Sequence, residues 1–333
     1  MRANRQAGLP LLAAALLIVL TSCTTLVRQD DLAGEYYNLG NAFFQLERYQ
    51  EAADYYQKAL ALNPELATAN YNLARSYLQV GRTTDAVAIL RRLLTDDPSN
   101  LLLKETLGYA RYLEGNSEEA LSIFLSVIES SPYRTRALFN AALIYIDRGR
   151  FATALPLLER ARNAAPSDNE VKLYLGIALL EAGGDPERAL RIIDEARSDT
   201  GSLSARELSL LGAAYADSRY YKRALDTFDE LLQAEPNNQE ALFTEAVILL
   251  TEADEGEKGL AMLRRAVNAG FSDEGRVTRL LDNPGLVNED AVRSLLKELR
   301  FGTEAGGTGN NGAPQDEAAA QTGREPAEST PAP

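Results

Sequence analysis

Four prolines, Pro64, Pro98, Pro132 and Pro166, stand 34 residues apart, and other columns of the chain keep the same step. Ala52, Ala86, Ala120 and Ala154 keep it, as do Gly81, Gly115 and Gly149. So do Leu39, Leu73, Leu107 and Ala141, each followed by a small residue: Gly40, Ala74, Gly108 and Ala142. Columns of unrelated chemistry that agree on one period mean that one supersecondary unit is repeated. Such a unit cannot bury its apolar face alone and must bury it against its neighbours. The period therefore constrains the fold more than the length of 333 residues, which alone would suggest about two domains.

Within one period the apolar spacing is that of two helices. Tyr36, Leu39, Gly40 and Phe43 follow i, i+3, i+4, i+7 along a first helix. Leu46 to Tyr49 make the turn, and Ala52, Tyr55, Tyr56 and Ala59 share the face of a second helix. Pro64 ends the unit because it has no N–H to continue the helical ladder. Gly40 and Ala52 are small where the two backbones approach.

The runs 37–43 (YNLGNAF) and 55–64 (YYQKALALNP) resemble the tetratricopeptide repeat. The resemblance implies an all-α fold, a right-handed superhelical solenoid of about seven helix-turn-helix repeats. They fall at residues 33–66, 67–100, 101–134, 135–168, 169–204, 205–238 and 239–272. The fifth has two extra residues, one placed in its Gly184-Asp185-Pro186 turn. The seventh is degenerate: acidic residues fill its turn, Gly259 stands where Ala is usual, and no Pro closes it. Residues 273–301 read as C-terminal capping helices. Ser272 is expected to cap a short helix carrying Val277, Leu280 and Leu281. Asn288 is expected to cap a final helix with Val292, Leu295, Leu296 and Leu299 on one face. From Gly302 to Pro333 there is no Val, Ile, Leu, Met or aromatic residue, so a disordered tail is expected.

The first residues differ. Arg2 and Arg5 precede an apolar run from Leu11 to Leu20. Ten helical residues rise about 15 Å, half of a bilayer core, so the run suits a signal peptide over 1–22. Leu20-Thr21-Ser22-Cys23 resembles the bacterial lipobox. That resemblance implies cleavage before Cys23, lipidation of its thiol and a tether over 23–32. Thr24 rather than Asp after the Cys resembles outer-membrane sorting.

Composition removes several function classes. There is no His, and Cys23 is the single Cys, so Ser-His-Asp triads, His-ligated metals, Cys-based zinc sites and iron–sulfur clusters are excluded. A formal charge of −14 repels phosphate backbones, so no nucleic-acid partner is expected. Glu118-Glu119 and Asp194-Glu195 read as solvated helix faces. No cofactor, metal set or catalytic constellation emerges, and the chain is not read as an enzyme.

The family holds peptides or partner domains on its first helices. The columns that would face such a groove contain Tyr37, Tyr71 and Phe139; Asn41, Arg75 and Tyr109; Phe44 and Tyr112; and Asn72 and Asn140. Aromatic faces with interspersed amides suit a peptide segment. Asn41 and Asn72 match the amides of the clamp that some family members use for a C-terminal carboxylate. Tyr37, Leu102 and Thr106 replace its cations, which disfavours that ligand. The expectation is a lipid-anchored adaptor of the bacterial cell envelope, on the outer membrane facing the periplasm, with a protein or peptide partner. The alternative is an accessory lipoprotein of a solute transporter, binding a small molecule or its carrier protein.

Overall fold

Each 34-residue period folds as a pair of antiparallel helices, because a stop signal closes each helix at the same place. The computed structural model describes residues 29–198, 201–299 and 301. The expected signal peptide, Cys23 and the tail from 302 onward lie outside the described residues. The helices in the first of two compact units, which runs to Tyr220, are α1 (Gln29–Gln45), α2 (Tyr49–Leu62), α3 (Ala67–Gln79), α4 (Thr83–Asp96), α5 (Leu101–Leu113), α6 (Ser117–Ser130), α7 (Thr135–Asp147), α8 (Phe151–Ala164), α9 (Asn169–Glu181), α10 (Pro186–Ser198) and α11 (Ala205–Asp217). In the second, from Tyr221, they are α12 (Tyr221–Ala234), α13 (Gln239–Thr251), α14 (Gly256–Asn268), α15 (Glu274–Leu281) and α16 (Glu289–Glu298). No strand occurs among the described residues. Helix α1 starts at Gln29, so residues 29–32 of the expected tether belong to its first turn.

The turn inside each hairpin is built by one residue in the left-handed region. At the end of α3, Gly81 has φ of 78°, its N–H donates to Leu78 O, and the Arg82 N–H donates to Tyr77 O at 2.8 Å. This 6→1 and 5→2 pair satisfies the last carbonyls of the helix. Glu47 (φ 59°) and Arg219 (φ 62°) hold the same position without the freedom of glycine, and Asp254 (φ 53°) takes this conformation in the turn of the seventh hairpin. At the other end, the N–H of Asn63, Asp97, Ser131 and Ala165 makes the last i→i−4 bond just before each Pro.

Packing within a hairpin depends on the small column. A Cβ on Gly40 would lie 2.6 Å from the Tyr56 ring, and one on Gly108 would lie 2.8 Å from Phe124 Cε1. The two columns are complementary in size. Gly40 and Gly108 share a repeat with the aromatic Tyr56 and Phe124, whereas Ala74 and Ala142 share one with Leu90 and Leu158.

Hairpins stack through the Leu column. Leu73, Leu107, Ala141, Leu175 and Leu211 are buried, because the preceding hairpin covers that side of each first helix. Leu39 was expected on the same apolar face, yet it is 43% exposed, because α1 is the first described helix. Consecutive first helices also touch: α1 meets α3, α3 meets α5, α5 meets α7, and α9 meets α11. The first unit therefore bends toward its first helices.

In the second unit, α15 and α16 bury Val277, Leu280, Val292, Leu295 and Leu296, and α14 packs against α16. Phe271 stacks on Phe243 with centroids 3.9 Å apart. Two cap assignments change. Asp273, not Ser272, caps α15, accepting from Arg276 N at 2.9 Å. Asn288 precedes α16 in the left-handed region and makes no side-chain cap bond, because that conformation turns its amide away from the helix N–H groups. The Gly259 exception has a cause as well. A Cβ there would lie 2.6 Å from Leu250 Cγ.

Candidate binding cleft on the first helices

The first helices present their exposed columns over only part of the first unit. On α1, α3 and α5 the aromatic, amide and arginine members of these columns remain half-buried or exposed, Tyr109 at 37%, whereas Leu78 and Glu105 are buried. On α7 and α9 most of the same columns close. Phe139 is buried edge-on against Tyr174 at 5.3 Å, and Leu173 and Ile177 are fully enclosed. Phe139 thus belongs to the packing, and Asn140 beside it is half-buried.

The open part contains a cleft of about 460 Å³ lined by Asn41, Phe44, Gln45, Glu47, Tyr49, Tyr56, Asn72 and Arg75. Its floor is a polar network. Tyr56 OH donates to Asn41 Oδ1 at 2.7 Å, and Asn72 Nδ2 donates to the same oxygen at 3.0 Å and to Tyr37 OH at 3.3 Å. Burial pushes the Tyr56 hydroxyl up to about 12, and the charge on Tyr37 would add to this, so Tyr56 is a neutral donor. Arg75 lies over the Phe44 ring at 4.5 Å and the Tyr71 ring at 5.8 Å, with Nη1 3.5 Å from Asn72 Oδ1. Phe44 meets Tyr49 edge-on at 5.1 Å. Tyr71 OH lies 3.3 Å from Thr106 Oγ1, which continues the surface onto α5.

A second cluster marks where the face closes. Tyr112 OH donates to Asp147 Oδ2 at 2.6 Å, and Arg206 on α11 reaches both Tyr112 OH (3.1 Å) and Asp147 Oδ1 (2.5 Å). Burial and the neighbouring Asp147 raise the pKa of the Tyr112 hydroxyl. Glu105, in the Tyr37 column, is buried and accepts from Arg134 Nε at 3.0 Å.

The structure thus gathers Asn41, Phe44, Asn72 and Arg75 at one cleft, sets Tyr37 against Asn72 and Tyr71 against Arg75 beside it, and places Tyr112 in the Arg206 cluster. The sequence reading missed Tyr49 and Tyr56. Tyr56 carried a signal: it is the hydroxyl-bearing member of a column otherwise held by Leu90, Phe124, Leu158 and Phe228. Arg206 carried none, since its contact spans 94 residues. Among the described residues no group of His, Cys, Asp or Glu side chains could hold a metal ion.

Paired helices at a fixed step, with polar and aromatic side chains on the first helix of each pair, define a helical-repeat protein. Two family profiles, both described as tetratricopeptide repeat, match residues 43–107 and 139–202. Over those stretches the chain is built of tetratricopeptide repeats, and such domains bind protein partners. Solved structures show the same fold. Pseudomonas aeruginosa pilF superposes with a TM-score of 0.53 at 22% identity, over 64% of this chain and 96% of that one. PilW, a widely conserved type IV pilus biogenesis factor, gives 0.53 at 18% identity, over 63% of this chain and 97% of that one. A tetratricopeptide repeat protein from Parabacteroides merdae gives 0.52 at 15%, over 75% and 97%. A curated relative, the human protein O-mannosyl-transferase TMTC1, is 26% identical over 110 residues, 33% of this chain and 12% of that protein. The chain thus spans about an eighth of that relative's length.

Proposed function

We propose that this protein is a lipid-anchored adaptor of the bacterial cell envelope that holds a protein partner on the first helices of its first unit. The observation that carries the binding role is the cleft on α1 and α3, where aromatic faces and amides are assembled and left open. Tyr and Phe present large, rigid contact area at low entropy cost, and the amides suit a peptide backbone.

The anchor rests on the lipobox-like run ending at Cys23. Each buried CH₂ contributes about 0.8 kcal/mol, so several chains on one sulfur and its amine would hold the protein where one chain holds it marginally. Among the described residues no helix is long and apolar enough to cross a membrane. The likeness to pilF and PilW supports an envelope setting, with assembly of a surface structure as one pathway such an adaptor would serve. Outer-membrane placement facing the periplasm is the reading favoured by Thr24. No catalytic role is proposed, since the cleft offers no nucleophile paired with a base.

Two variants test the halves separately. Cys23→Ser is expected to leave an unprocessed or soluble protein on membrane fractionation; a variant still processed and membrane-bound overturns the anchor. The triple change Phe44→Ala, Tyr71→Ala, Tyr109→Ala is expected to lose the partner that co-purifies from native membranes while melting as a folded protein. Unchanged recovery of that partner overturns the binding face.

A further inference from the structure

The charged groups on the first-helix face of the first unit are not treated alike. Glu105 is neutralised by Arg134, and Asp147 by Arg206. Arg75 is different. No described carboxylate forms an ion pair with it, Glu47 of the same cleft included, and its one polar contact is the long one to Asn72 Oδ1. In a chain of formal charge −14, an arginine left without an acid in an open cleft is an unmet electrostatic preference.

The geometry says which part of Arg75 is available. Its guanidinium carbon lies over the Phe44 ring at 4.5 Å, a cation–π contact that holds the group at the cleft. The N–H donors of a guanidinium lie in its plane, and those of Arg75 other than the one on Asn72 are available for a two-pronged bond to a carboxylate. Asn41 adds a neutral donor. Its Oδ1 accepts from both Tyr56 and Asn72, which leaves its Nδ2 without a described partner at the cleft wall.

We infer that this cleft captures an acidic side chain, Asp or Glu, within a partner peptide, on the edge of the Arg75 guanidinium and the Asn41 amide. Apolar residues flanking the acid would lie on Phe44 and Tyr49. The inference rests on the reading of the first-helix face as a peptide-binding surface and names what that surface recognises. One cation matches one carboxylate, and the acidic chain opposes a dianionic phosphate or a nucleic acid. This is not capture of a chain terminus, because Tyr37, Leu102 and Thr106 stand where clamp cations would be.

The test is selection of a random 12-residue library, fused through its C-terminus to a phage coat protein, on the full chain and on Arg75→Gln and Arg75→Lys. No displayed peptide then has a free carboxyl terminus. The wild type is expected to enrich peptides with an Asp or Glu next to aliphatic or aromatic residues. Replacing that acid by its amide in a synthetic peptide should weaken binding on the order of tenfold, the size of one charge-assisted hydrogen-bond pair. Arg75→Gln should abolish the difference between acid and amide, and Arg75→Lys should restore part of it, with all three proteins melting alike. Enriched peptides without an acid, or an acid preference that survives Arg75→Gln, overturn the inference and leave the peptide-binding face standing. No enrichment above an unrelated control protein overturns both.

Discussion

Glu245 occupies the Leu column of the array, where Leu73, Leu107, Ala141, Leu175 and Leu211 are buried. It is buried too, at 5% exposure, and its Oε2 has no hydrogen-bond partner. Burial, with the nearby Asp229 adding to it and Arg265 opposing it, pushes the carboxyl up to about 7 from an ordinary 4.5. An acid harder to ionise in the folded state than in the unfolded one stabilises the fold in its protonated form. That contribution is complete below pH 4.5 and is lost as pH rises through about 7. A tenfold change in proton affinity is worth about 1.4 kcal/mol, so the contribution is on the order of 3 kcal/mol. Glu245→Leu restores the column and is expected to stabilise the second unit at pH 8 and to flatten the decline in stability between pH 5 and pH 8. Thermal and urea melts of the full chain at both pH values measure this. A wild-type decline that persists in the variant contradicts it.

At the scale of elements, the hairpins follow from a size rule that is written in the sequence. In the first four repeats Gly stands with an aromatic partner and Ala with Leu, so the pair fills a similar volume, while in the fifth Gly176 stands with Ile193. Gly108→Ala would press a methyl into Phe124, and overpacking of this kind costs roughly 1–3 kcal/mol. Adding Phe124→Leu reproduces the Ala74 and Leu90 pairing, so the double variant is expected to recover much of the loss in a chemical-denaturation cycle. Additive losses would sink the size rule. The helices and their stops were legible because each signal is local and recurs: a Pro after the second helix, a Gly after the first, small residues at the crossing. The turns at Glu47 and Arg219 were less legible. There the stacked hairpin imposes a left-handed residue that the side chain does not announce. The caps at Asp273 and Asn288 turned on single φ values, which spacing does not fix.

At the scale of the whole molecule, periodicity predicts which columns lie on the first helices but not how far they stay open. A per-repeat rotation is small, and its sum decides whether Arg206 meets Tyr112 across 94 residues and Asp147 across 59. The face is closed over most of α7 and α9. Phe139 is turned inward there, and the aromatic and amide residues of α1, α3 and α5 are left as the open surface. The same columns carry different roles along the chain for this reason, and the open stretch is where a partner has room. The hydrogen bonds from Tyr56 and Asn72 to Asn41 were equally hidden, since they depend on side-chain rotamers rather than register.

Site-specific photo-crosslinking in intact cells compares the two faces directly. A photoreactive residue replaces Tyr109 on first helix α5, 37% exposed, or Leu125 on second helix α6, 41% exposed. A partner held on the first helices predicts a discrete adduct from position 109, lost in the Arg75→Gln background or on addition of a selected acidic peptide, and none from position 125. An adduct from position 125 alone, or adducts from both that the peptide leaves unchanged, would contradict it.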